Sequence, residues 1–298
     1  MFNVVICGLG AVGMTYANKF NQLGVCLKIL ADEERIKRYK TVKPKFNGEE
    51  QNFEYITPSD NFDADLIIIA TKFNGLSSAI SYIKNCIGEK THVISLINGV
   101  SSEEKISEIY PKLKVLKSYF IGHSAVRNGN DITQDGVGTI VVEHNDYIEN
   151  MFKVLNIDYD VPKDIDYSMW LKYTFNIFSN QVSAILNLTF GELKKNKEFI
   201  SFTKKIIAEV RQIAEKKGVK NLENLEQDSI ALLDKMCDEG KTSMLQDILA
   251  KRPTEVDMFA GEIIRMGKLY GIQTPYNQIL YDLIKIKESN NEHSIHSC

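Results

Sequence analysis

One basic side chain interrupts a long apolar segment, and its type suits acid catalysis. Between positions 167 and 191, Lys172 is the only charged residue. Lys172, Asn176, Asn180 and Ser183 follow each other at helical spacing, so they share one face of the predicted helix. A partly desolvated ammonium can protonate a carbonyl oxygen or stabilise a developing alkoxide. Because burying such groups unpaired is costly, this face is predicted to line a polar cleft; the alternative is a stripe paired across an interdomain contact.

A glycine motif near the N-terminus is the second feature that could do chemistry. Residues 8–13, GLGAVG, match G-x-G-x-x-G. They follow a strand-like run and begin a helical pattern, which is the context that dinucleotide binding requires. Its glycines permit a tight turn, close approach of a pyrophosphate, and close packing of helix on strand. The alternative is a glycine-rich turn without a ligand. The predicted cofactor-binding residues here are Gly8, Leu9, Gly10, Ala11, Val12 and Gly13.

The end of the second predicted strand bears on the choice of cofactor. Asp32 follows it, and an acidic residue there favours NADH by bonding the ribose hydroxyl. Arg35 and Arg38 could instead reach the additional phosphate of NADPH. Solvated charges at a helix start are the structural alternative. The sequence leaves the choice between NADPH and NADH open.

These residues need a scaffold, and the hydrophobic pattern predicts one. Continuous apolar runs such as 4–7, 26–30, 66–70 and 93–97 alternate with helical segments, which is typical of a parallel sheet buried on both faces. After about residue 166 only helical patterns remain. We therefore predict an α/β protein, with a Rossmann-type parallel-sheet domain at 1–166 followed by an all-helical domain at 167–298.

Composition excludes several classes of function. The chain has 298 residues and a net charge of −3, which argues against nucleic acid as a partner. No apolar run is long enough to span a membrane, and no signal-peptide pattern opens the sequence, so we expect a cytoplasmic protein without a membrane partner. The five cysteines form no CxxC pair, and we predict reduced thiols and no metal site.

The C-terminal pattern predicts a last helix and a frayed tail. Thr274 and Pro275 read as the cap and first residue of a helix running to about Glu288. His293 and His296 beyond it could in principle bind a metal, but a disordered tail is the expected state. Long apolar helical faces make a homodimer plausible.

Several segments together resemble the ketopantoate reductase (2-dehydropantoate 2-reductase) family over nearly the whole chain. Residues 170–180, WLKYTFNIFSN, look like that family's W-x-K-x-x-x-N-x-x-x-N helix. Residues 242–247 and 253–257 are similar to its S-S-M-x-x-D and T-E segments. Residues 97–100 match its N-G step, and Thr71-Lys72 match the lysine after the preceding strand.

The resemblance implies a fold, a reaction and a set of roles. The fold is a Rossmann domain followed by a helical domain, with the active site in the cleft between them. The reaction is NAD(P)H-dependent reduction of 2-dehydropantoate to (R)-pantoate, toward pantothenate and coenzyme A. By this resemblance, Lys172 would donate the proton, Asn176 and Asn180 would bind the substrate, and Ser243 would bind the substrate's carboxylate. Glu255 would contact the substrate's far hydroxyl or the nicotinamide ribose, and Asn98 would orient Lys172 or the nicotinamide. Lys72 and Ala125 would lie beside the cofactor.

Most of these residues also have a purely structural interpretation. Ser243 could belong to a helix cap, Glu255 could complement a helix dipole, and Asn98 could be an ordinary turn residue before Gly99. Lys72 could be a solvated charge. His123 is expected to be a packed or hydrogen-bonded histidine rather than a catalyst.

The chain also departs from the family pattern at two places. Ala31, followed by Asp32, stands where NADPH-selecting members carry an arginine. Gln181 replaces a proline common after the second asparagine of the helix motif, and Phe190 stands where a polar residue near the pocket is often found. Two alternatives therefore remain beside ketopantoate reduction. One is a reductase of another branched 2-keto acid on the same fold, and the other is a non-catalytic dinucleotide-sensing protein.

Overall fold

The computed structural model describes residues 2–122, 124–136 and 138–295. His123 and His296, both considered from the sequence, lie outside the described residues. The chain divides into two compact units, Met1–Ile165 and Asp166–Cys298.

The first unit alternates strands and helices, as the apolar runs predict. Its strands are β1 (Asn3–Cys7), β2 (Cys26–Leu30), β3 (Lys45–Phe46), β4 (Glu49–Glu50), β5 (Tyr55–Ile56), β6 (Ala64–Ile69), β7 (Ile87–Ser95), β8 (Lys114–Leu116), β9 (Ser118–Ile121), β10 (Ser124–Asn128), β11 (Asp131–Asp135), β12 (Thr139–Val142) and β13 (Tyr159–Asp160). Its helices are α1 (Ala11–Gln22), α2 (Glu33–Thr41), α3 (Leu76–Tyr82), α4 (Ser102–Ile109) and α5 (Asp146–Val154).

Six of these strands form the sheet that carries the glycine motif. Their order is β5-β2-β1-β6-β7-β8, and every neighbouring pair is parallel. Val4, Ile6, Leu66 and Ile68 are fully buried, because the central strands are covered on both faces. The prediction of a Rossmann-type parallel sheet is confirmed.

Two smaller sheets complete the first unit. One has the order β10-β11-β3-β4 and the other β13-β12-β9. The β3–β4 hairpin turns through Asn47 and Gly48, both with positive φ, which is the Asn-Gly pair that tight hairpins favour.

The second unit is all-helical within its described residues, which confirms that part of the predicted fold. Its helices are α6 (Ile165–Leu186), α7 (Phe190–Lys195), α8 (Lys197–Lys216), α9 (Leu225–Asp234), α10 (Ser243–Leu249), a π-helix (Asp257–Gly261), α11 (Glu262–Tyr270) and α12 (Pro275–Ile295). Along α8, Phe199, Ile206, Val210 and Ile213 are buried at helical spacing, and Gly218 with φ +82° follows the helix end.

The last helix is longer than the sequence predicts. It begins at Pro275 as expected, but it continues to Ile295 rather than ending near Glu288. The prediction of a frayed tail is therefore wrong through Ile295. At its start, the carboxylate of the buried Glu209 accepts hydrogen bonds from Tyr276 N (2.7 Å) and Asn277 N (3.0 Å). An acid from α8 thus satisfies backbone N–H groups that begin the helix.

Neither a membrane span nor a disulfide is found in the part of the chain that the structure describes. No helix there is long and apolar enough to cross a bilayer. Cys7, Cys26, Cys86 and Cys237 are free thiols, and burial raises the pKa of the Cys7 thiol to about 12.

A buried carboxyl group lies at the start of α4, close in sequence to the Asn98 loop. Glu103 is buried, and Ser102 Oγ donates to its Oε2 at 2.9 Å. Desolvation raises the pKa of Glu103 to about 7, although hydrogen bonds from Ser102 and the Ser118 backbone oppose the shift. The folded protein therefore binds this proton more tightly than the unfolded chain does.

Replacing Glu103 with glutamine is expected to flatten the pH dependence of stability. In the native protein the free energy of unfolding falls as pH rises from about 4.5 to about 7, because the folded state must then ionise a buried acid. The free energy of unfolding of E103Q minus that of the native protein should therefore be larger at about pH 8 than at about pH 5, by on the order of 1–3 kcal/mol. Urea unfolding at both pH values measures this. The exposed Glu104 gives the control E104Q, and equal differences at both pH values for E103Q would contradict the assignment.

Candidate active site

The glycine loop after β1 is built around contacts that only glycine permits. Gly8 has φ +108°, and a Cβ there would lie 2.7 Å from the Ala70 carbonyl oxygen. A Cβ on Gly13 would lie 1.9 Å from the Gly8 oxygen. Gly10 is different, because its nearest neighbour would be 3.8 Å away. Gly8 is therefore needed for the turn and Gly13 for the close contact of helix and strand. The space beside Gly10 is not filled by the protein, so a ligand could approach the backbone there.

The start of α1 fits a dinucleotide phosphate. Gly10 occupies the N-cap position without a side-chain cap, and no acidic residue lies in the first turn. The N–H groups at this end are thus not bonded by a cap side chain, and the helix dipole favours an anion there. Beside the loop, a cavity is lined by Gly8, Leu30, Ala31 and Thr71 among others. Thr71 Oγ1 is buried there with no hydrogen-bond partner among the described residues, so the cavity also offers an unsatisfied polar atom to a ligand.

Parallel topology brings three predicted cofactor residues to the same edge of the sheet. β1, β6 and β7 are neighbours, and Gly8, Lys72 and Asn98 each follow the carboxyl end of one of them. Ligands of open α/β sheets bind at this edge. Lys72 is exposed, and Asn98 is half-buried just before Gly99, whose φ is +113°.

Asp32, the acidic residue after β2, is the N-cap of α2. It caps α2 by accepting a hydrogen bond from Arg35 N at 2.7 Å, and Arg35 Nε lies 3.4 Å from its other oxygen. Arg35 also lines the cavity beside Gly8. Capping and ribose binding are compatible for a carboxylate with two oxygens, so the role of Asp32 in cofactor choice stays a prediction.

Ala125 lies on a different sheet from the other predicted cofactor residues. It belongs to β10, opposite Gln134 of β11, and packs on the core of the first unit. Thr15 of α1 donates a hydrogen bond to the Gln134 side chain. This bond ties the β10–β11 hairpin to the helix that follows the glycine loop.

In the second unit, Lys172 lies on α6 and is half-buried. Its helical neighbours Trp170, Tyr173, Phe175 and Ile177 are buried. Desolvation lowers the pKa of Lys172 to about 8, and the negative charge of Glu255 partly opposes this shift. The amine therefore loses and regains its proton near neutral pH, as a general acid should.

The lower half of the predicted polar face is not part of an open cleft. Asn180 and Ser183 are buried and pair with the start of α10. Asn180 Oδ1 accepts from Ser243 Oγ (3.0 Å) and Met244 N (3.2 Å), and Thr242 Oγ1 donates to Ser183 Oγ (3.2 Å). The prediction that this part of the face lines a cleft is wrong, because a neighbouring helix of the same unit satisfies it.

These contacts also order the predicted substrate-binding residues. The Asn180 amide nitrogen lies 3.4 Å from Asn176 Oδ1, so Ser243, Asn180 and Asn176 form one chain of polar groups. Thr242, rather than Ser243, caps α10. The interpretation of Ser243 as a helix cap is therefore wrong; Ser243 is an exposed residue at the first position of the helix.

Glu255 lies in a segment that α12 holds on both sides. Thr254 N and Thr254 Oγ1 both donate to Glu288 Oε1 at 2.7 Å. Asp257 accepts from Tyr281 OH at 2.8 Å and pairs with Lys285 at 3.3 Å. The half-buried Glu255 thus has a fixed backbone from which its charge acts on Lys172.

A π-helix begins two residues after Glu255 and is bonded to the residue next to Lys172. Tyr173 OH is buried and lies 2.8 Å from Met258 O and 3.1 Å from Phe259 O, within the π-helix. Short π-helices are rare and often occur at functional sites. Tyr173 thereby couples the backbone that carries Glu255 to the turn of α6 that carries Lys172.

Tyr173→Phe is expected to loosen this coupling. Loss of the hydroxyl leaves two buried carbonyl groups without that donor, which costs about 1–2 kcal/mol of stability. We also expect kcat/KM for reduction to fall about tenfold, because Lys172 and Glu255 are held less firmly. Thermal unfolding and steady-state kinetics measure both effects. Tyr270→Phe removes a hydroxyl at the end of α11 as a control, and native stability and kinetics in Y173F would contradict the positioning role.

Sequence reasoning missed several residues that shape the site. Tyr173 stands beside Lys172 in the helix, but nothing in its spacing indicates a bond to the π-helix. Thr71 is named beside Lys72 in the sequence analysis but is given no role there, although the carboxyl edge of the sheet could have suggested one. The contact of Glu288 with Thr254 pairs positions 34 residues apart, which local patterns do not predict.

Metal binding finds no support in the described part of the chain. No group of three or more histidine, cysteine, aspartate or glutamate side chains is arranged there to hold an ion.

Comparison with known proteins identifies the family. Residues 4–147 match the family described as ketopantoate reductase PanE/ApbA, and residues 164–288 match the C-terminal region of the same family. The 2-dehydropantoate 2-reductase of Pyrococcus horikoshii is 27% identical, with 96% of this chain and 97% of that protein aligned.

Two solved structures share the fold over nearly the whole chain. A dimeric ketopantoate reductase from Staphylococcus aureus is 21% identical at a TM-score of 0.78, covering 97% of this chain and 99% of that one. A D-mandelate dehydrogenase, solved with NADH and anilino(oxo)acetate, is 23% identical at a TM-score of 0.82, with the same coverage. The non-catalytic alternative thereby loses its support, since the family is one of enzymes. The chain belongs to the ketopantoate reductase family of NAD(P)-dependent oxidoreductases acting on a CH–OH group.

Proposed function

We propose that this enzyme reduces 2-dehydropantoate to (R)-pantoate, with Lys172 as the proton donor. The observation that supports it most is the half-buried ammonium of Lys172, whose pKa lies near 8 and whose charge Glu255 favours. Curated relatives aligned over 96% of the chain are named for this activity.

The chemistry follows from the residues of the two units. A bound nicotinamide dinucleotide supplies a hydride to the keto carbon. Lys172 donates its proton to the keto oxygen, which becomes the hydroxyl, and the neutral amine then takes up a proton from solvent. Glu255 keeps the ammonium charged until transfer, because a carboxylate opposes the desolvation of its neighbour.

The polar chain from Ser243 to Asn176 suits recognition of an anionic keto acid. Ser243 is an exposed residue and Asn176 a half-buried one, so their polar groups can also bind a ligand. Asn180 is already bonded to Ser243 and Met244. We assign Asn180 the task of fixing the other two, and the substrate carboxylate to Ser243.

In the first unit, the glycine loop and the start of α1 would hold the pyrophosphate. Lys72 and Asn98 would flank the cofactor from the neighbouring strand ends. The unsatisfied Thr71 hydroxyl and the uncapped helix start support this placement.

A panel of 2-keto acids tests the proposal. We expect kcat/KM to be highest for 2-dehydropantoate among aliphatic and aryl 2-keto acids, followed through loss of the reduced cofactor's absorbance. Each acid is measured with NADPH and with NADH, which also decides the cofactor. Turnover of another 2-keto acid with a kcat/KM more than about tenfold higher would overturn the choice of substrate.

Aryl or larger branched 2-keto acids are the second candidate. Phe190, a departure from the family pattern, stacks on Phe175 of α6 with ring centroids 6.2 Å apart. Gln181, the other departure, is fully buried and donates to Ile177 O at 2.9 Å. Phe175 lies on the helix that bears Lys172 and Phe190 on the helix that follows it, and such an aromatic pair favours an apolar substrate side chain. The dehydrogenase neighbour was solved with an anilino(oxo)acetate.

We also propose a homodimer. Ile279, Leu283 and Ile286 are exposed on α12 at i, i+4 and i+7, so they form an apolar stripe that a partner could cover. The Staphylococcus aureus structure is described as dimeric. Light scattering of the purified protein decides this, and a single monomer mass at micromolar concentration would contradict it.

A further inference from the structure

The segment that carries Glu255 depends on side chains for its conformation. Residues 252–255 belong to neither a helix nor a strand, and Pro253 has no N–H group to donate. Thr254 is buried, so its N–H and hydroxyl groups need acceptors inside the protein. Both of them donate to one oxygen, Glu288 Oε1, at 2.7 Å. A side chain of the last helix, α12, therefore supplies the acceptor that regular secondary structure supplies elsewhere.

The same hydrogen bonds reach both chain neighbours of Glu255. Thr254 Oγ1 accepts from Val256 N at 3.3 Å, so groups before and after Glu255 are connected to the Glu288 carboxylate. An ionised acceptor forms hydrogen bonds roughly twice as strong as a neutral one does. The side chain of Glu288 is 17% exposed, so water competes little for these bonds and they hold the segment firmly.

Lys285 orients the Glu288 carboxylate. Its Nζ lies 3.3 Å from Glu288 Oε2 and 3.3 Å from Asp257 Oδ2, and Asp257 Oδ1 accepts from Tyr281 OH at 2.8 Å. Although desolvation opposes the shift, the charges of Glu288 and Asp257 raise the pKa of Lys285. The ammonium is therefore charged at neutral pH, and it fixes one oxygen of Glu288 while the other oxygen bonds Thr254.

We propose that Glu288 is a positioning residue of the reaction, which holds the Glu255 segment in the conformation from which the Glu255 carboxylate acts on Lys172. The inference rests on the proposed roles of Lys172 and Glu255. Without Glu288, two buried donors of Thr254 lose their acceptor, and the segment relaxes to conformations in which these donors reach water. The Glu255 carboxylate then moves away from the amine, and a displacement of about 1 Å can cost about 100-fold in rate.

Kinetics of E288A with the 2-keto acid that the native enzyme reduces best test this role. We expect kcat to fall about tenfold or more while KM changes less. The break, the pH above which kcat/KM for reduction begins to fall, should move to lower pH as it does in E255Q. E288Q keeps an oxygen that can accept from Thr254, so it should recover most of the activity. Asp282 is exposed on the same helix and accepts from Gln278 Nε2 at 3.0 Å, and D282A, the control for lost charge, should behave as the native enzyme does.

A double variant separates positioning from general damage. If Glu288 acts through Glu255, E255Q/E288A has the kcat and the break of E255Q, because the second change removes nothing further. T254V keeps the N–H bond to Glu288 and loses the hydroxyl bond, so it should move the break in the same direction as E288A and by less. The break does not depend on how much of the enzyme is folded, and T254V carries the test if E288A does not fold.

The inference is overturned if E288A moves the break no more than D282A does, if its loss multiplies that of E255Q in the double variant, or if E288Q is as impaired as E288A. A break that E255Q moves and E288A leaves in place removes Glu288 alone from the account. A break that E255Q also leaves in place removes the proposed roles of Lys172 and Glu255, and the positioning role of Glu288 falls with them.

Discussion

Replacing Lys172 with alanine is expected to lower kcat for 2-keto acid reduction about 10²–10⁴-fold, the usual contribution of a positioned general acid. KM should change far less, because the substrate carboxylate is assigned to other residues. The fold should survive, since removing a desolvated ammonium relieves a burial cost. Steady-state kinetics with a saturating cofactor measure the effect.

Two variants separate chemistry from packing at Lys172. Lys287 is another half-buried lysine of the helical unit, and its Nζ donates to Ala184 O at 2.9 Å. K287A should therefore keep its activity. K172R keeps the charge but cannot release a proton near neutral pH, so it recovers activity only if Lys172 acts by charge alone. A K172A enzyme with native turnover would remove Lys172 from the mechanism.

Gly13→Ala is expected to have the largest effect on the first unit. Its Cβ would lie 1.9 Å from the Gly8 carbonyl oxygen, so α1 must move away from the glycine loop. We expect a loss of about 2–4 kcal/mol in stability together with loss of dinucleotide binding. Urea unfolding and cofactor titration measure the two losses.

Gly10→Ala is the matched control for this loop. Its Cβ meets nothing closer than 3.8 Å, and its φ of −77° suits alanine. The variant should keep native stability while cofactor affinity falls, because the methyl group stands where the pyrophosphate approaches. Native stability in G13A would show that α1 tolerates the displacement and would contradict the packing argument.

Most of the fold could be predicted from hydrophobic periodicity, and the elements that were not predicted have physical reasons. Continuous apolar runs identify β1, β2, β6 and β7 because buried parallel strands need no polar alternation. The β3–β4 hairpin was not predicted because each strand has only two residues, although the Asn47-Gly48 pair signals a turn. The end of α12 was placed too early because the last residues of the helix are mostly polar.

The candidate site was readable only in part. Lys172 stands out by composition, since it is one charge in an apolar helix. Glu255 and Ser243 have no such signal, and only resemblance to a family singles them out. The bond from Tyr173 to the π-helix and the pairing of Asn180 with α10 are tertiary contacts. No local pattern predicts them, because the partners are more than 60 residues apart.

The pH dependence of kcat/KM tests the central claim most directly, because it reports the ionisation of the free enzyme. With Lys172 as proton donor, reduction should slow tenfold per pH unit above a break near pH 8. In E255Q the break should move to lower pH, since Glu255 no longer favours the ammonium. A profile that stays flat from about pH 7 to about pH 10, or a break that E255Q leaves in place, would contradict the account.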